Sequence, residues 1–174
     1  ATLIMSILNE KLAGRDVKFY AGTSYRNIMI YSGSDAIEAK CIPPHDIIGK
    51  SITKNLPKGK GSEILFELMR DSFHLLENHE VNAVRTDLGE NPANMIWLWG
   101  QGKRPTLTPF EELYGISGAV ITGVDLLRGL ATYIGWNIIE VPGATAYLDT
   151  DYNAKAQYAI EALETHELVL VHIE

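Results

Sequence analysis

Cysteine is nearly absent from this chain, since Cys41 is the only one among 174 residues. A single cysteine excludes an internal disulfide and argues against a structural zinc site. Long hydrophobic runs are also missing, and none approaches the roughly 18 residues that span a bilayer. The N-terminal segment lacks the basic leader of a signal peptide. We therefore expect a cytoplasmic protein.

Excess positive charge is missing as well: 22 acidic residues face 15 basic ones, for a formal net charge of −7. A nucleic acid or an anionic membrane binds through a basic face that replaces released counterions. The charge balance therefore disfavours both as partners. A local basic pocket within an acidic chain would still suffice for a small phosphorylated ligand.

The familiar catalytic motifs are absent too. The sequence contains no G-x-S-x-G elbow, no G-x-x-x-x-G-K-[ST] phosphate loop and no H-E-x-x-H pair. We therefore assign no catalytic residue and no metal ligand to this chain.

The composition, 46% hydrophobic and 21% charged, is typical of one folded domain with a real core, which we place over residues 1–174. Apolar residues at helical spacing predict a first helix over 2–12. Two short strands, 17–21 and 25–31, are predicted to form a hairpin through Gly22-Thr23-Ser24.

A long loop rich in Pro, Gly and Lys is predicted over 41–61, followed by an amphipathic helix over 62–77 with Ser62 as its N-cap. From residue 95 the pattern changes to apolar strands alternating with the helices 124–134 and 152–165. The predicted strands are 95–99, 119–121, 137–141 and 168–173. This alternation predicts an α/β fold with a mixed, largely parallel sheet and helices on both faces, besides the N-terminal helix and hairpin.

The last predicted strand reaches the end of the chain at Glu174. In open α/β sheets, ligands bind beyond the carboxyl ends of the strands. We therefore expect the chain to lack a complete active site of its own.

One candidate for ligand binding lies in the long loop, where Pro43 and Pro44 precede His45 and Asp46, and Lys50 follows. Because proline fixes the backbone, these three polar side chains are candidates for holding an anionic substrate. The spacing fits a solvated loop with a turn cap equally well.

Two glycine- and lysine-rich segments, 58–61 and 100–104, are further candidates for holding an anion. Glycines let backbone amides approach a phosphate, and a helix N-terminus attracts negative charge. An exposed tight turn at 100–104 and a flexible, solvated helix entry at 58–61 are the favoured alternatives.

Four longer strings occur in order along the chain. They are Pro43-Pro-His-Asp-Ile-Ile-Gly-Lys50; Leu56-Pro-Lys-Gly59; Asn91-Pro-Ala-Asn94 with Trp97-Leu-Trp-Gly-Gln-Gly102; and Val141-Pro-Gly-Ala-Thr145 with Tyr147-Leu-Asp-Thr150. Together they resemble the archaeal-type cofactor-independent (bisphosphoglycerate-independent) phosphoglycerate mutases of the alkaline phosphatase superfamily. Bacterial relatives of that family are labelled proposed homoserine kinase or putative phosphonopyruvate decarboxylase. The resemblance spans nearly the whole chain, and it is specific for the family but not for the substrate.

The resemblance implies a metal-dependent glycolytic isomerase that interconverts phosphoglycerate isomers through a phosphoenzyme. Its fold is similar to alkaline phosphatase, with an inserted domain that closes over the substrate. Two divalent ions (Mn or Mg, possibly Zn) and a phosphorylated Ser or Thr belong to the other half of such an enzyme. Residues 1–174 then correspond to the inserted lid domain, ending in the return strand 168–174, and the chain alone is expected to be inactive.

By matching motif positions, the resemblance implies five substrate-binding residues. They are Arg26, His45, Asp46, Lys50 and Arg85. A second group of candidates is weaker, because a role in holding turns explains these residues equally well. The group consists of Asn94, Gln101 and Asp149. The chain departs from the family pattern at Ala146, where Gly is expected, and at Asp151, where Asn is expected.

Two alternatives remain beside the lid of a mutase. The chain could be a stand-alone module that binds phosphorylated metabolites, or the lid of a related phosphotransferase or phosphatase with another substrate. In each case the expected ligand is a phosphorylated small acid. As a lid, the chain would also have the metal-binding half of the parent protein as its partner.

Overall fold

The computed structural model describes residues 1–22 and 25–173, in two compact units, Ala1–Lys103 and Arg104–Glu174. Thr23 and Ser24, in the predicted hairpin turn, and Glu174, at the end of the predicted return strand, lie outside the described residues. Within the described part of the chain, no helix is both long and apolar enough to cross a membrane. The assignment of the whole chain to one inserted domain stays a prediction.

The first unit begins with helix α1, Thr2–Lys11, followed by strands β1, Val17–Tyr20, and β2, Ile28–Tyr31. The strands pair antiparallel with Phe19 opposite Met29 and Tyr20 opposite Ile28. Because side chains alternate across a strand, the first pair faces the core, where Phe19 is 5% exposed, and the second faces outward. The predicted N-terminal helix and hairpin are confirmed, with shorter strands.

Two further helices complete the first unit: α2, Ser62–Leu76, and α3, Glu80–Asp87. The buried face of α2 includes Leu65, Leu68 and Leu76, which recur at helical spacing. Leu68 packs in one cluster with α1 and β1. Ser62 is the first helical residue, and its predecessor Gly61 occupies the N-cap position, so the prediction of Ser62 as N-cap was wrong by one residue.

The predicted strand 95–99 is absent, because this segment has no regular secondary structure. Two backbone amides in and just before this segment donate to side chains on helices. The amide of Ile96 donates to Ser72 Oγ at 3.0 Å, and the amide of Ala93 donates to Asn82 Oδ1 at 2.8 Å. An apolar run therefore lies half-buried here without joining a sheet.

The loop 41–61 is an ordered segment with two short 3₁₀ turns, Pro44–Ile47 and Ile52–Lys54. Lys40 and Lys58 exchange backbone hydrogen bonds of 2.7 and 3.1 Å, which close the loop at its base. The amide of Ser62 also donates to Gly59 O at 3.2 Å. The entry to α2 is therefore a closed turn, and Lys58, Gly59 and Lys60 in it are exposed, in keeping with the expected solvated entry.

The second unit contains a three-stranded parallel sheet in the order β4-β3-β5, with β3 central. Its elements, in chain order, are α4, Phe110–Tyr114; β3, Gly118–Ile121; α5, Asp125–Ile134; β4, Asn137–Ile138; α6, Tyr152–Ala162; and β5, Leu168–Val171. Every residue of β3 is buried, as expected for a central parallel strand. The predicted α/β class with a parallel sheet is confirmed.

An ion-pair network joins the start of the hairpin to α2. Arg15 lies 2.6 Å from Asp71 and 3.3 Å from Glu67, and Arg70 lies 3.1 Å from Asp71. Burial raises the pKa of Asp71, but the hydrogen bonds from the two arginines outweigh burial, and the net pKa lies below its ordinary value. The Asp71 carboxylate therefore stabilises the folded state at pH values above the ordinary pKa of Asp.

We expect Asp71→Asn to lower the Tm by about 3 °C near neutral pH, because exposed networks of this kind contribute modestly. The folded pKa is depressed, so the stabilising contribution is lost as the pH falls through it. Thermal unfolding followed at several pH values should show the difference from the unsubstituted chain shrinking towards acid. Asp87→Asn serves as the control, because Asp87 is exposed and forms no ion pair with the described residues.

Candidate functional site

His45, Asp46 and Lys50 are positioned by the 3₁₀ turn Pro44–Ile47. Pro44 is the first residue of this turn, where its fixed φ fits and its missing N–H costs nothing. His45 Nε2 lies 3.9 Å from Asp46 Oδ1, and Lys50 Nζ donates to the backbone carbonyl of Asp46 at 3.1 Å. The His45 and Asp46 side chains are 54% and 61% exposed, so both are available to a ligand.

A second segment lies beside this turn. The Trp97 indole N–H donates to Ile42 O at 2.8 Å, and the Gln101 amide donates to Ala39 O. The His45 ring meets the Trp99 ring in an edge-to-face arrangement, with centroids 5.3 Å apart. The structure thus brings Gln101, a sequence-predicted candidate, and Trp99, which was not predicted as a site residue, next to the His45 turn.

Cys41 lies between these two segments, and burial raises the pKa of its thiol, while a hydrogen bond from Gln101 partly offsets that effect. The net pKa is above the ordinary thiol value, so the thiol stays protonated near neutral pH. A protonated thiol is neither a good nucleophile nor a metal ligand. Cys41 is therefore a packing residue of this site.

Exposed lysines surround the loop base. Lys40 and Lys58 lie opposite each other across the β-bridge, an arrangement that is destabilising for like charges. Neither forms an ion pair with another described residue, whereas Lys60 lies 2.7 Å from Glu38. Together with Lys50, the pair provides positive charge on an otherwise acidic chain.

The two predicted arginines have different surroundings. The exposed Arg26 guanidinium lies 5.3 Å from the centre of the Tyr25 ring. Arg85 Nε donates to Asn91 O at 2.8 Å, and its Nη2 lies 3.5 Å from Glu90. Arg85 therefore closes the end of α3, and no described contact joins either arginine to the His45 turn.

The remaining predicted residues are Asn94 and Asp149. Asn94 is exposed in the first unit. Asp149 lies in the second unit, where its Oδ1 accepts a hydrogen bond of 2.7 Å from Thr145 Oγ1. It therefore belongs to a separate local arrangement at the carboxyl side of the parallel sheet.

The two departures from the family pattern lie in the same region. Asp151 is the N-cap of α6 and accepts from the Ala154 amide at 2.9 Å, a role that Asp and Asn share. Close backbone approach near Ala146 is provided by Gly123, where a Cβ would lie 2.8 Å from the Ala146 amide nitrogen. The alanine at 146 is therefore compatible with this packing.

Among the described residues, no group of three or more His, Cys, Asp or Glu side chains is placed to hold a metal ion. The sequence analysis missed Asn82 and Ser72, which fix the segment carrying Trp97 and Trp99. A buried Asn and Ser on helices give no signal in sequence beyond their polarity within apolar stretches.

Comparison with known proteins gives a consistent result. The family model for 2,3-bisphosphoglycerate-independent phosphoglycerate mutase matches residues 1–82. The mutase of that name from Methanosarcina barkeri is 48% identical over 174 residues, which is 100% of this chain. The chain is a relative of the 2,3-bisphosphoglycerate-independent phosphoglycerate mutases. The archaeal resemblance of its motifs is thereby confirmed.

Other relatives of these mutases show the same pattern. A second archaeal mutase, from Methanothermobacter thermautotrophicus, is 49% identical over 175 residues, and a probable mutase from Geobacter sulfurreducens is 46% identical over 163 residues. The chain spans under half of each of these relatives, 44% for the M. barkeri enzyme and 43% for that of M. thermautotrophicus. It therefore corresponds to part of a mutase-like protein.

Solved structures agree at the level of the fold. The cofactor-independent phosphoglycerate mutase of Thermoplasma acidophilum superposes with a TM-score of 0.63 at 20% identity, covering 99% of this chain and 47% of that one. A protein from Pyrococcus horikoshii gives a TM-score of 0.58 at 31% identity, covering 64% of this chain and 30% of the other.

Proposed function

We propose that the parent protein is a metal-dependent phosphoglycerate mutase and that this chain supplies its substrate-covering part. The parent would be a cytoplasmic, glycolytic isomerase that transfers a phosphoryl group between positions of phosphoglycerate through a phosphoenzyme. The observation that carries the proposal is the 48% identity over the whole chain to a mutase of that name. The four motifs that occur in order along the chain support it.

The role of this chain in the proposal is to hold the non-transferring end of the phosphorylated acid. Lys50 and His45 are exposed on the loop 41–61, and Lys40 and Lys58, which pair across its base, form no ion pair with another described residue. Arg26 and Arg85 suit a carboxylate or phosphate, because a guanidinium donates two parallel hydrogen bonds. Covering the site excludes water, which favours return of the phosphoryl group to substrate over hydrolysis.

The residues present in this chain do not fit the two divalent ions of the proposed parent. The described residues contain no group of three or more His, Cys, Asp or Glu side chains that could hold a metal ion. Mn²⁺ or Mg²⁺, with Zn²⁺ as the alternative, would therefore be bound by the rest of the parent chain.

The test compares the pure 174-residue chain with the full-length parent, each with Mn²⁺ or Mg²⁺ and 3-phosphoglycerate. We expect turnover to 2-phosphoglycerate by the parent and none by the chain. Turnover by the pure chain would overturn the claim that essential groups lie elsewhere. A parent that hydrolyses or transfers phosphate only on other substrates would favour a related phosphotransferase or phosphatase.

Binding by the isolated chain is the second arm of the same experiment. Titration with 3-phosphoglycerate can be followed by tryptophan fluorescence, because Trp99 contacts the His45 ring. We expect weak binding or none, since a lid needs the other half of the site. Tight, saturable binding would instead favour a stand-alone module for phosphorylated metabolites.

A further inference from the structure

Lys155, on α6, is a buried cation in the second unit. It is 2% exposed, and no described carboxylate lies within ion-pair distance of its ammonium. Its Nζ donates instead to two backbone carbonyls, His172 O at 3.2 Å and Thr145 O at 3.4 Å. Burying an ammonium with only neutral partners costs more free energy than burying an apolar side chain of equal size. We therefore examined what its two hydrogen bonds hold in place.

The two carbonyls belong to different segments of the second unit. His172 directly follows β5, and Thr145 lies in the segment between β4 and α6. Parallel strands end at the same edge, and ligands of open α/β sheets bind at that edge. The Lys155 ammonium therefore links the segment 143–151 to the carboxyl end of β5.

Thr145 connects Lys155 to Asp149 through hydrogen bonds. The Thr145 hydroxyl donates to Asp149 Oδ1 at 2.7 Å, and the Thr145 amide donates to the Thr150 hydroxyl at 2.9 Å. Thr150 is itself 5% exposed, which fixes the inner side of the turn. Asp149 Oδ2 forms no hydrogen bond with the described residues, and the side chain is exposed.

We propose that Lys155 is a positioning residue that holds Thr145, and through it orients Asp149 to accept a hydrogen bond from the hydroxyl group of a phosphorylated hydroxy acid. A carboxylate repels phosphate but accepts well from a hydroxyl, so the hydroxyl of phosphoglycerate is the matching group. The proposal rests on the proposed function for its ligand, but the link from Lys155 through Thr145 to Asp149 is tested independently.

The first measurement is amide hydrogen exchange on the 174-residue chain. We expect Lys155→Met to accelerate exchange at Thr145 and Asp151 by about tenfold or more, while amides of the β3–β5 ladder change far less. Gln157→Met, an exposed substitution on the same helix, should leave both regions unchanged. Equal acceleration throughout the ladder, or none at Thr145, would overturn the positioning role. If Lys155→Met does not fold, Lys155→Arg, which keeps the charge but misplaces its donors, is measured in the same way.

The second measurement is binding of 3-phosphoglycerate and of its analogue without the 2-hydroxyl by the full-length parent. A site that accepts from a hydroxyl discriminates against the deoxy analogue. We expect Asp149→Ala, Thr145→Val and Lys155→Met each to reduce the preference for the hydroxy acid by about tenfold, and Lys155→Met to add nothing to Asp149→Ala. Additive losses, or an unchanged preference, would refute the link. A parent that binds neither compound refutes the proposed function, and the exchange measurement then decides the role of Lys155 alone.

Discussion

An alanine at position 61 is expected to lower the free energy of unfolding of residues 1–103 by about 3–4 kcal/mol. Gly61 has φ +78°, and a Cβ built there would lie 1.8 Å from Asp35 O and 2.8 Å from the Ala36 Cα. The obstructing atoms are backbone, so they cannot move aside as the end of a side chain would. The 3₁₀ turn Asp35–Glu38 and the start of α2 would have to separate.

Gly59→Ala is the matched control for this substitution. Gly59 has φ +86°, but a Cβ there meets no atom within 4 Å. This control should therefore cost only the conformational penalty, about 1 kcal/mol. Urea unfolding of each variant, followed by exchange at amides of α2, separates the two effects. Equal losses at both positions would show that the contact with Asp35 is relieved without cost.

Most helices and strands could be predicted because their apolar residues recur with a regular period. The face of α2 follows helical spacing, and β3 and β5 are short apolar runs. Boundaries were less accurate: the strand predicted over 137–141 is only Asn137–Ile138. An apolar run favours burial, but how far a strand extends depends on the neighbouring strand with which it pairs. The run alone does not specify that neighbour.

The segment 95–99 shows why such a run can be misinterpreted. Its composition is that of a buried strand, yet its Ile96 amide donates a hydrogen bond to Ser72, 24 positions earlier in the chain, and Ala93 just before the segment is bonded to Asn82. Side chains on helices can satisfy a backbone segment as well as a strand does. Sequence periodicity carries no information about that choice.

The candidate site was predictable only where its residues are neighbours in sequence. His45, Asp46 and Lys50 are held by one turn, so proline spacing sufficed to group them. Gln101 reaches Ala39 across 62 positions, and Trp99 reaches His45 across a similar interval. Their association depends on the tertiary path of the chain; the family resemblance suggested Gln101 as a site residue but not Trp99.

Asn82→Ala is the prediction that tests how this tertiary path is held. Asn82 is 4% exposed; its amide group donates to Leu76 O at 2.6 Å and to Ala93 O at 3.2 Å, and its Oδ1 accepts from the Ala93 amide. Alanine leaves the partly buried amide and carbonyl of Ala93 without these partners, while Leu76 O keeps only the hydrogen bond from the His79 amide. We expect a loss of about 3 kcal/mol in the free energy of unfolding of residues 1–103.

The effect should be local as well as global, because Asn82 fixes the segment that continues to Trp97 and Trp99. Amide exchange at Ala93 and Ile96 should accelerate more than exchange within α1. Asn78→Ala, at an exposed position on the preceding turn, should change neither the free energy of unfolding nor the exchange at Ala93 and Ile96 measurably. If Asn82→Ala unfolds like the control, the amide and carbonyl of Ala93 must be satisfied by water. The segment beside the His45 turn would then be held by the hydrogen bonds from Ile96 to Ser72, from Trp97 to Ile42 and from Gln101 to Ala39, together with apolar packing.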